Sequence, residues 1–280
     1  MNNIYLNKED FFKYGYCVVR NVLTEREIEE YKKNIKRISE EVNAKVVVGI
    51  HNYKEYWNII AHKRVLESLR KILGDNEIRY LYSASTRHEG KGSWPYTWHR
   101  DNPCRIFGVG ADWSSKEIYN CVRVGIYLSS YDEIKSGLNV IPFSHVKNYT
   151  LTNLLRIFHH KTKASNNFVI TKIRNIFEKV IGKNVKTNPG DCVFFLAHLM
   201  HAGIPPSAMR DAIFLTYGTD NVHAHNYINY WVKHRPSDTD GQVHEPTKNI
   251  EQMKEFLIKN NIYLPIPKEK ILIDGVSIPK

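Results

Sequence analysis

A histidine and an aspartate stand two residues apart in the stretch WHRDNP, which begins at Trp98 and ends at Pro103. On an extended segment, residues i and i+2 point to the same side, so His99 and Asp101 could share one metal ion. Imidazole and carboxylate groups together are typical ligands of iron and zinc. The pair alone is weak evidence, because a chain with 13 histidines often contains this spacing by chance. A metal site here needs a third ligand from elsewhere in the chain.

The third ligand is expected in NPGDCVFFLAHLMHAGIPPSAMRD, residues 188–211. A turn at 189–191 and a buried strand over 192–197 lead into His198 and His201. These histidines are three apart, so on a regular strand they face opposite sides and the spacing does not decide between them. Two histidines and one carboxylate leave three of six octahedral positions open, as in non-haem Fe(II) oxygenases. A closed zinc site takes a fourth protein ligand instead.

Four helices are predicted from apolar periodicity and end signals. In NVLTEREIEEYKKNIKRISEE, residues 21–41, Thr24 and Glu27 form a capping-box pattern, and apolar residues then recur at helical spacing. The other helices are expected over 63–73, ended by Gly74, between 166 and 181, ended by Gly182, and near the C-terminus around 250–257.

Short segments rich in β-branched and aromatic residues dominate the middle of the chain and predict strands. They are EIRYLYSAS, YNCVRVGIYLSS, LNVIP, DCVFFLA and DAIFLTYGT. The predicted fold class is α+β with a mainly β core, a jelly roll (double-stranded β-helix, cupin-like) with helical cover. A single domain over 1–280 is expected, with a mostly helical cover at 1–75, the jelly-roll core at 78–220 and a C-terminal extension at 221–280.

Composition and charge limit the class of protein. The 280 residues carry a formal net charge of +11, which favours acidic partners. Residues 156–186 contain eight basic residues and one acid, so this segment is either a solvated helix face or a docking surface for an anionic substrate or partner. No apolar run is long enough to span a membrane, and no CxxC pair suggests a disulfide framework. We expect a cytoplasmic protein without a membrane partner, and nucleic-acid binding is a minor alternative because no recognition motif is present.

Four stretches in the same order resemble the phytanoyl-CoA dioxygenase family of Fe(II)- and 2-oxoglutarate-dependent oxygenases. FFKYGYCVVRNVLTEREIEEYKK resembles the family's opening strand and first capped helix, and WHRD is similar to its ligand pair. SGLNVIPFSHV resembles its G-L-x-V-x-P-G-S-H strand and turn, and NPGDCVFFLAHLMHAGIPPSAMR resembles its strand that leads to the distal histidine and an arginine. The resemblance covers roughly residues 8 to 220. Phe143 departs from it, because the family usually has glycine there, and so does the pair Pro205 and Pro206.

The resemblance implies a ligand set and a reaction. In its register, His99, Asp101 and His201 hold Fe(II), and Arg210 binds the far carboxylate of 2-oxoglutarate. Arg87, at the end of the preceding strand, is expected as a second contact to the cosubstrate or the substrate. With O2, the implied reaction hydroxylates an unactivated C–H bond and releases succinate and CO2. Relatives that halogenate have a small residue in place of the aspartate, so Asp101 favours hydroxylation.

The substrate is expected to be a small, anionic molecule. Aromatic and cationic residues come from segments that should surround the metal: Trp94, Tyr96, Trp98, Arg100, Arg105, Trp113, Arg123 and Tyr127. Two alternatives stay open, a zinc-dependent cupin-like enzyme and a catalytically silent binding protein of the same fold.

Overall fold

Two β-sheets form the centre of the molecule. The computed structural model describes residues 6–74, 77–90, 97–146, 158, 161–162, 167–234, 242–244 and 250–265. The strands are β1 (Tyr16–Val19), β2 (Val46–Val48), β3 (Arg79–Glu89), β4 (Val122–Tyr127), β5 (Leu138–Val140), β6 (Lys183–Val185), β7 (Cys192–Leu196), β8 (His201–Gly203), β9 (Met209–Gly218) and β10 (Gln242–His244). The larger sheet has the order β1-β7-β4-β9-β3-β2-β10 and the smaller has the order β6-β5-β8. The β2–β10 pair is parallel, and the other strand pairs are antiparallel.

Helices precede, interrupt and follow these strands. They are α1 (Lys8–Tyr14), α2 (Glu25–Glu41), α3 (Trp57–Ile60), α4 (Lys63–Leu73), α5 (Ala111–Ser114), α6 (Tyr131–Ile134), α7 (Phe168–Ile181), α8 (Val222–Ile228) and α9 (Ile250–Lys259). A π-helical turn, Asn229–His234, continues α8. Among the helices of the described residues, none combines the length and apolar composition that a transmembrane helix needs.

Helix α2 begins where its sequence predicts. The Thr24 side chain accepts a hydrogen bond from the Glu27 backbone N–H, and the Glu27 carboxylate accepts one from the Thr24 N–H at 2.8 Å. The buried residues of this helix are Ile28, Tyr31, Ile35 and Ile38. Their spacing of three and four residues places them on one face, which packs against β2 and β3. The helix therefore covers one face of the larger sheet.

The predicted fold class is confirmed, with differences in the short elements. The four predicted helices correspond to α2, α4, α7 and α9, and the five predicted strand segments to β3, β4, β5, β7 and β9. Sequence periodicity did not predict β2, β6, β8 and β10, because three residues are too few to show a period. The largest buried cluster combines side chains from α1, α2, the larger sheet and α9. The division of one domain near residues 75 and 220 stays a prediction.

Phe143 keeps the turn that a glycine forms in the family pattern. Its φ is 66°, in the left-handed region that costs a residue with a Cβ roughly 1–2 kcal/mol. Its ring lies 5.3 Å from the ring of Tyr14, and its backbone N–H donates to the Tyr14 carbonyl at 3.3 Å. Contacts with the end of α1 thus hold the turn without glycine.

Candidate active site

The three predicted ligands meet where the segment after residue 97 runs beside β8. His99 and His201 form an isolated antiparallel bridge, with N–H to carbonyl distances of 2.9 and 3.0 Å. The Asp101 N–H donates to the carbonyl of Ala197 at 2.7 Å, which fixes this residue beside the end of β7. One ligand atom from each of His99, Asp101 and His201 lies within 4.8 Å of the others. Among the described residues, no fourth His, Cys, Asp or Glu joins this group.

The spacing of the ligand atoms suits a single ion. Nε2 of His99 lies 3.5 Å from Oδ1 of Asp101, and Nε2 of His201 lies 3.4 Å from Oδ2. Around an octahedral ion at about 2.1 Å, neighbouring ligand atoms lie about 3 Å apart. The three groups are therefore close enough to share one ion, since their ligand atoms all lie within 4.8 Å of one another.

Backbone carbonyls fix the orientation of both imidazoles. Nδ1 of His99 lies 2.9 Å from the carbonyl oxygen of Thr97, and Nδ1 of His201 lies 2.9 Å from that of Leu199. Each Nδ1 therefore carries the proton and donates, which leaves the Nε2 lone pair for a metal. Burial and the neighbouring His201 lower the pKa of His99 to about 4, and the charge of Arg105 acts in the same direction. His99 is thus neutral at physiological pH, as ligation requires.

A buried arginine holds the carboxylate of Asp101. Nε of Arg123 lies 3.0 Å from Oδ2 of Asp101, and Nη1 of Arg123 donates to Thr216 Oγ1 at 3.1 Å and to the Tyr227 hydroxyl at 3.4 Å. Burial alone would raise the pKa of Asp101, but Arg123 and the two histidines hold it well below its usual range. Asp101 is therefore ionised, and Arg123 is its ion-pair partner.

Arg210 lies in the same cavity as the triad. It is 3% exposed, and its Nη1 donates to Ser136 Oγ at 3.1 Å. Its Nε has no hydrogen-bond partner among the described residues. Burial lowers the pKa of this guanidinium, which nevertheless stays charged near neutrality. A buried cation with unused N–H groups is suited to bind an anion.

The structure does not bring Arg87 to this cavity. Nη1 of Arg87 donates to both carboxylate oxygens of Asp211, at 2.9 and 2.8 Å. In the β3–β9 register Arg87 is opposite Asp211 and His88 is opposite Arg210, and consecutive strand residues point to opposite faces. His88 and Arg210 line the cavity, whereas Arg87 does not. The structure therefore gives no support to Arg87 as a contact of the cosubstrate, and the neighbouring residue His88 lines the cavity instead.

The choice between the two histidines after β7 follows from a chain reversal. β7 ends at Leu196 in the larger sheet and β8 begins at His201 in the smaller one, so strand alternation does not relate His198 to His201. The ring of His198 lies 3.8 Å from that of Tyr119 and 5.2 Å from that of Trp113. Burial lowers the pKa of His198 well below its usual range. His198 is therefore a neutral histidine in an aromatic cluster outside the ligand triad.

The triad and Arg210 share a cavity of about 210 Å³ between the two sheets. Apolar side chains form most of its wall, among them Val48, Tyr82, Leu138, Phe195, Phe214 and Trp231. Among the described residues, the lining includes the guanidinium groups of Arg105, Arg123 and Arg210 and one acid, Asp101. Burial, Arg210 and Lys45 lower the pKa of His88 to about 3, so that lining residue is neutral.

Of the eight expected pocket residues, three line the cavity, three lie elsewhere and two lie outside the described residues. Arg105, Arg123 and Tyr127 line the cavity. The Arg100 side chain points elsewhere, because its Nε donates to the His198 carbonyl at 3.1 Å, and Trp98 and Trp113 are buried outside the lining. Trp94 and Tyr96 lie outside the described residues.

Some lining residues had no signal in the sequence. His88, Phe214 and Trp231 reach the cavity from β3, β9 and the π-helical turn after α8. None of them belongs to a motif around the ligand pair. The pairing of β3 with β9 could have placed His88 opposite Arg210, but only if that register had been known.

Comparison with known proteins agrees with the fold. The family model for phytanoyl-CoA dioxygenase (PhyH) matches residues 11–208, more than half of the chain. A search of curated protein sequences finds no match.

Solved structures with a similar fold include HygX from Streptomyces hygroscopicus with nickel and 2-oxoglutarate bound, at 14% identity and a TM-score of 0.56 over 75% of this chain and 84% of that one. EctD from S. alaskensis, solved with 2-oxoglutarate and 5-hydroxyectoine, has 17% identity and a TM-score of 0.54 over 75% of this chain and 73% of that one. The epimerase SnoN from nogalamycin biosynthesis has 15% identity and a TM-score of 0.53 over 75% and 78% of the two chains.

The matched segment contains His99, Asp101 and His201, and the fold it shares with these structures places them together at one cavity. The chain therefore belongs to the phytanoyl-CoA dioxygenase family of non-haem iron- and 2-oxoglutarate-dependent oxygenases.

Proposed function

We propose that this protein hydroxylates an unactivated C–H bond of a small, anionic molecule and releases succinate and CO2. The observation that carries the proposal is that His99, Asp101 and His201 face the same cavity as Arg210. The triad can hold Fe(II), and Arg210 supplies the buried cation that a dicarboxylate cosubstrate needs.

The residues of the triad would hold Fe(II) through Nε2 of each histidine and one carboxylate oxygen of Asp101. Three protein ligands on one face leave three positions for 2-oxoglutarate and O2. The bound iron and cosubstrate supply the oxidising chemistry that removes hydrogen from the substrate. The chain's own contribution is orientation: the Thr97 and Leu199 carbonyls fix the two rings, and Arg123 fixes the carboxylate.

Arg210 is proposed to bind the far carboxylate of 2-oxoglutarate. A planar guanidinium can meet a carboxylate with two parallel hydrogen bonds, which sets the direction of the cosubstrate as well as its affinity. Ser136 holds one end of this guanidinium. Tyr127 also lines the cavity, and the charge of Arg210 acts on its hydroxyl. We therefore assign Tyr127 as the second contact to that carboxylate.

Hydroxylation is favoured by Asp101. A carboxylate ligand occupies the coordination position that a halide would need, so halogenation is disfavoured. The fold itself does not fix the outcome, because the solved structures of similar fold include an epimerase, SnoN, and a carbocyclase, SnoK. Mass analysis of the product separates these reactions, since hydroxylation adds one oxygen atom whereas epimerisation and carbocyclisation add none.

The charges in the cavity support an anionic substrate. Fe(II) and the 2-oxoglutarate dianion cancel, and Asp101 cancels the charge of Arg123, which lies 3.0 Å away. Both carboxylates of 2-oxoglutarate are used in balancing Fe(II), including the one that Arg210 would bind. The positive charges of Arg105 and Arg210 are therefore left without compensation in the loaded site. Arg210 is buried and Arg105 is half-buried, so a negatively charged substrate is proposed to bind there more favourably than a neutral one.

Arg105 is the guanidinium that remains for this anion. It stands over the rings of Tyr230 and Trp231, at 5.7 and 6.0 Å from their centroids. Among the described residues no acid forms an ion pair with it, and its Nε has no hydrogen-bond partner. We assign Arg105 to the carboxylate, phosphate or phosphonate group of the substrate and the aromatic wall to its apolar part.

The metal assignment is tested with a matched pair of histidine variants. Under anaerobic conditions, Fe(II) and 2-oxoglutarate are expected to give a weak visible charge-transfer band that His201→Ala abolishes. His198→Ala is the control, because this histidine is equally buried and lies three residues away but outside the triad. Loss of the band in His198→Ala with retention in His201→Ala would refute the ligand set. Zinc in the purified protein with no succinate from 2-oxoglutarate under any condition would favour the zinc-enzyme alternative.

The substrate assignment is tested with carboxylic acids and their primary amides of the same skeleton. Formation of succinate should be stimulated by the acid and not by the amide of an accepted pair. A contact to an ionised group is typically worth about 1.5–3 kcal/mol, so Arg105→Gln should raise KM for the acid by about 10- to 150-fold. Equal stimulation by acid and amide, with KM unchanged in Arg105→Gln, would refute the role of Arg105 and leave the metal chemistry standing.

A further inference from the structure

Helix α7 presents an apolar face to solvent in the most basic part of the chain. Val169, Ile173, Ile176 and Phe177 recur at i, i+4, i+7 and i+8, which places them on one side of the helix. They are 60%, 52%, 56% and 38% exposed. A soluble monomer rarely leaves such a stripe open, and a rimmed apolar stripe usually marks an interaction surface.

The sequence on and around α7 carries most of the basic excess of the chain. Within residues 156–186 there are eight basic residues and one acid. Of the described ones, Lys161, Lys172, Lys183 and Lys186 are exposed, and Nζ of Lys186 lies 3.7 Å from Oδ1 of Asp132. The exposed apolar residues favour a docking surface over a solvated helix face, because a solvated helix would expose polar residues rather than isoleucine and valine.

The far end of α7 is anchored to the body of the protein. Ile181 packs against the buried cluster of Trp98, Ile141, Met200 and Ala202, and a Cβ on Gly182 would lie 2.4 Å from Oδ1 of Asn139. The helix therefore holds a fixed attachment beside the segment that carries His99. Its stripe is an outer surface of a helix that the fold holds in place.

We propose that the α7 stripe docks this protein onto the surface of a bilayer that contains anionic lipids. A helix with Phe, Ile and Val on one face and lysines beside it is the type that lies in the plane of the membrane interface. The apolar residues would enter the boundary between headgroups and acyl chains, and the lysines would contact lipid phosphates. This binding is peripheral, so it differs from a membrane span, and it revises the expectation that the protein has no membrane partner.

Charge decides between a bilayer and a second copy of the chain. A symmetric dimer through this stripe would place the same surface against itself and bring two strongly basic segments together. Like charges at an interface oppose association, whereas an anionic bilayer attracts the same segment. The surface that fits both the apolar stripe and the charge is therefore the bilayer.

The test is co-sedimentation of the full chain with vesicles of phosphatidylglycerol and phosphatidylcholine in equal parts, compared with vesicles of phosphatidylcholine alone. We expect binding to the mixed vesicles that weakens as salt is added. Each lysine near the bilayer surface contributes about fivefold to the partition coefficient. The triple variant Lys161→Gln/Lys172→Gln/Lys183→Gln should therefore have a partition coefficient about 100-fold lower than that of the wild type. The partition coefficient of Ile173→Asn/Ile176→Asn should fall by about tenfold or more, because both side chains would no longer enter the apolar layer.

Two controls keep folding and catalysis apart from docking. Both variants change exposed residues, so their melting temperatures and 2-oxoglutarate binding should equal those of the wild type. Lys135→Gln, which also removes an exposed lysine but lies on the loop after α6, should bind vesicles like the wild type.

Three outcomes overturn the proposal. One is equal or absent binding to the two kinds of vesicle. The second is concentration-dependent self-association in sedimentation velocity that Ile173→Asn/Ile176→Asn removes, which would make the stripe a contact between copies. The third is a large fall in the melting temperature of that variant together with absent vesicle binding, which would show that the chain itself covers the stripe.

Discussion

Removal of the Arg123 guanidinium tests whether this buried cation compensates the charge of Asp101 before metal binds. Nε of Arg123 lies 3.0 Å from Oδ2 of Asp101, and the two side chains are 12% and 10% exposed. Breaking a buried ion pair by removing one partner costs about 3–5 kcal/mol, because the other charge stays in a medium of low dielectric. Methionine keeps much of the length of the side chain and limits the cavity. We expect Arg123→Met to lower the free energy of unfolding of the metal-free protein by about 3–5 kcal/mol.

A divalent ion should reduce that loss, because it places positive charge beside the same carboxylate. Urea unfolding is measured with and without Mn(II), which serves as an air-stable substitute for Fe(II). The stabilisation by Mn(II) should be larger in Arg123→Met than in the wild type, and each 1.4 kcal/mol of that difference corresponds to a tenfold change in metal affinity. Arg123→Lys is the control, since it keeps the charge and should lose less stability in the metal-free state.

The coupling of the two residues is measured with a double-mutant cycle in the metal-free protein. Asp101→Asn removes the charge that Arg123→Met leaves uncompensated, so the double variant should be more stable than the sum of the single losses predicts. Strict additivity of the two losses would refute the compensation of Asp101 by Arg123. So would an equal effect of Mn(II) on the wild type and on Arg123→Met.

Three further predictions concern other parts of the chain. Arg210→Lys should lower the affinity for 2-oxoglutarate by about 10- to 150-fold in anaerobic titrations and leave metal affinity unchanged, because lysine cannot form the bidentate contact. Unchanged cosubstrate affinity would contradict the role of Arg210. His88 has a pKa of about 3 in the folded state and about 6.5 when unfolded, so its contribution to stability is complete above pH 6.5 and is lost as pH falls toward 3. Urea unfolding between pH 6.5 and pH 4 should show a loss of about 3 kcal/mol from this group that is absent in His88→Gln; an identical pH dependence of the two proteins would exclude it. Thr24→Ala should lower the free energy of unfolding by about 1 kcal/mol, since it removes the cap of α2. A change smaller than a few tenths of a kcal/mol would show that the cap is dispensable.

Local signals in the sequence predicted the elements that depend on near neighbours. The capping box of α2 needs two residues three apart, and its buried face needs only a helical spacing of apolar residues. The pair of His99 and Asp101 was likewise visible, because residues two apart on an extended segment share a side. Such features depend on contacts within a few residues, so one window of sequence contains all the information.

Family resemblance supplied what spacing could not. The choice of His201 over His198 came from the family register, and the structure brings His201 to Asp101. The spacing of three was uninformative because the chain turns between β7 and β8, and the two strands belong to different sheets.

Only the tertiary structure decided which side chains face the cavity that contains the triad. Arg87 and His88 are adjacent in sequence, and the register of β3 on β9 sends one to Asp211 and the other to the cavity. Arg123, 22 positions beyond Asp101 in the chain, becomes its ion-pair partner because β4 lies between β7 and β9 in the larger sheet. The same holds for Arg105 and Trp231, which meet across more than a hundred residues. Such pairings depend on the free energy of long-range strand and side-chain contacts, which no short window of sequence contains.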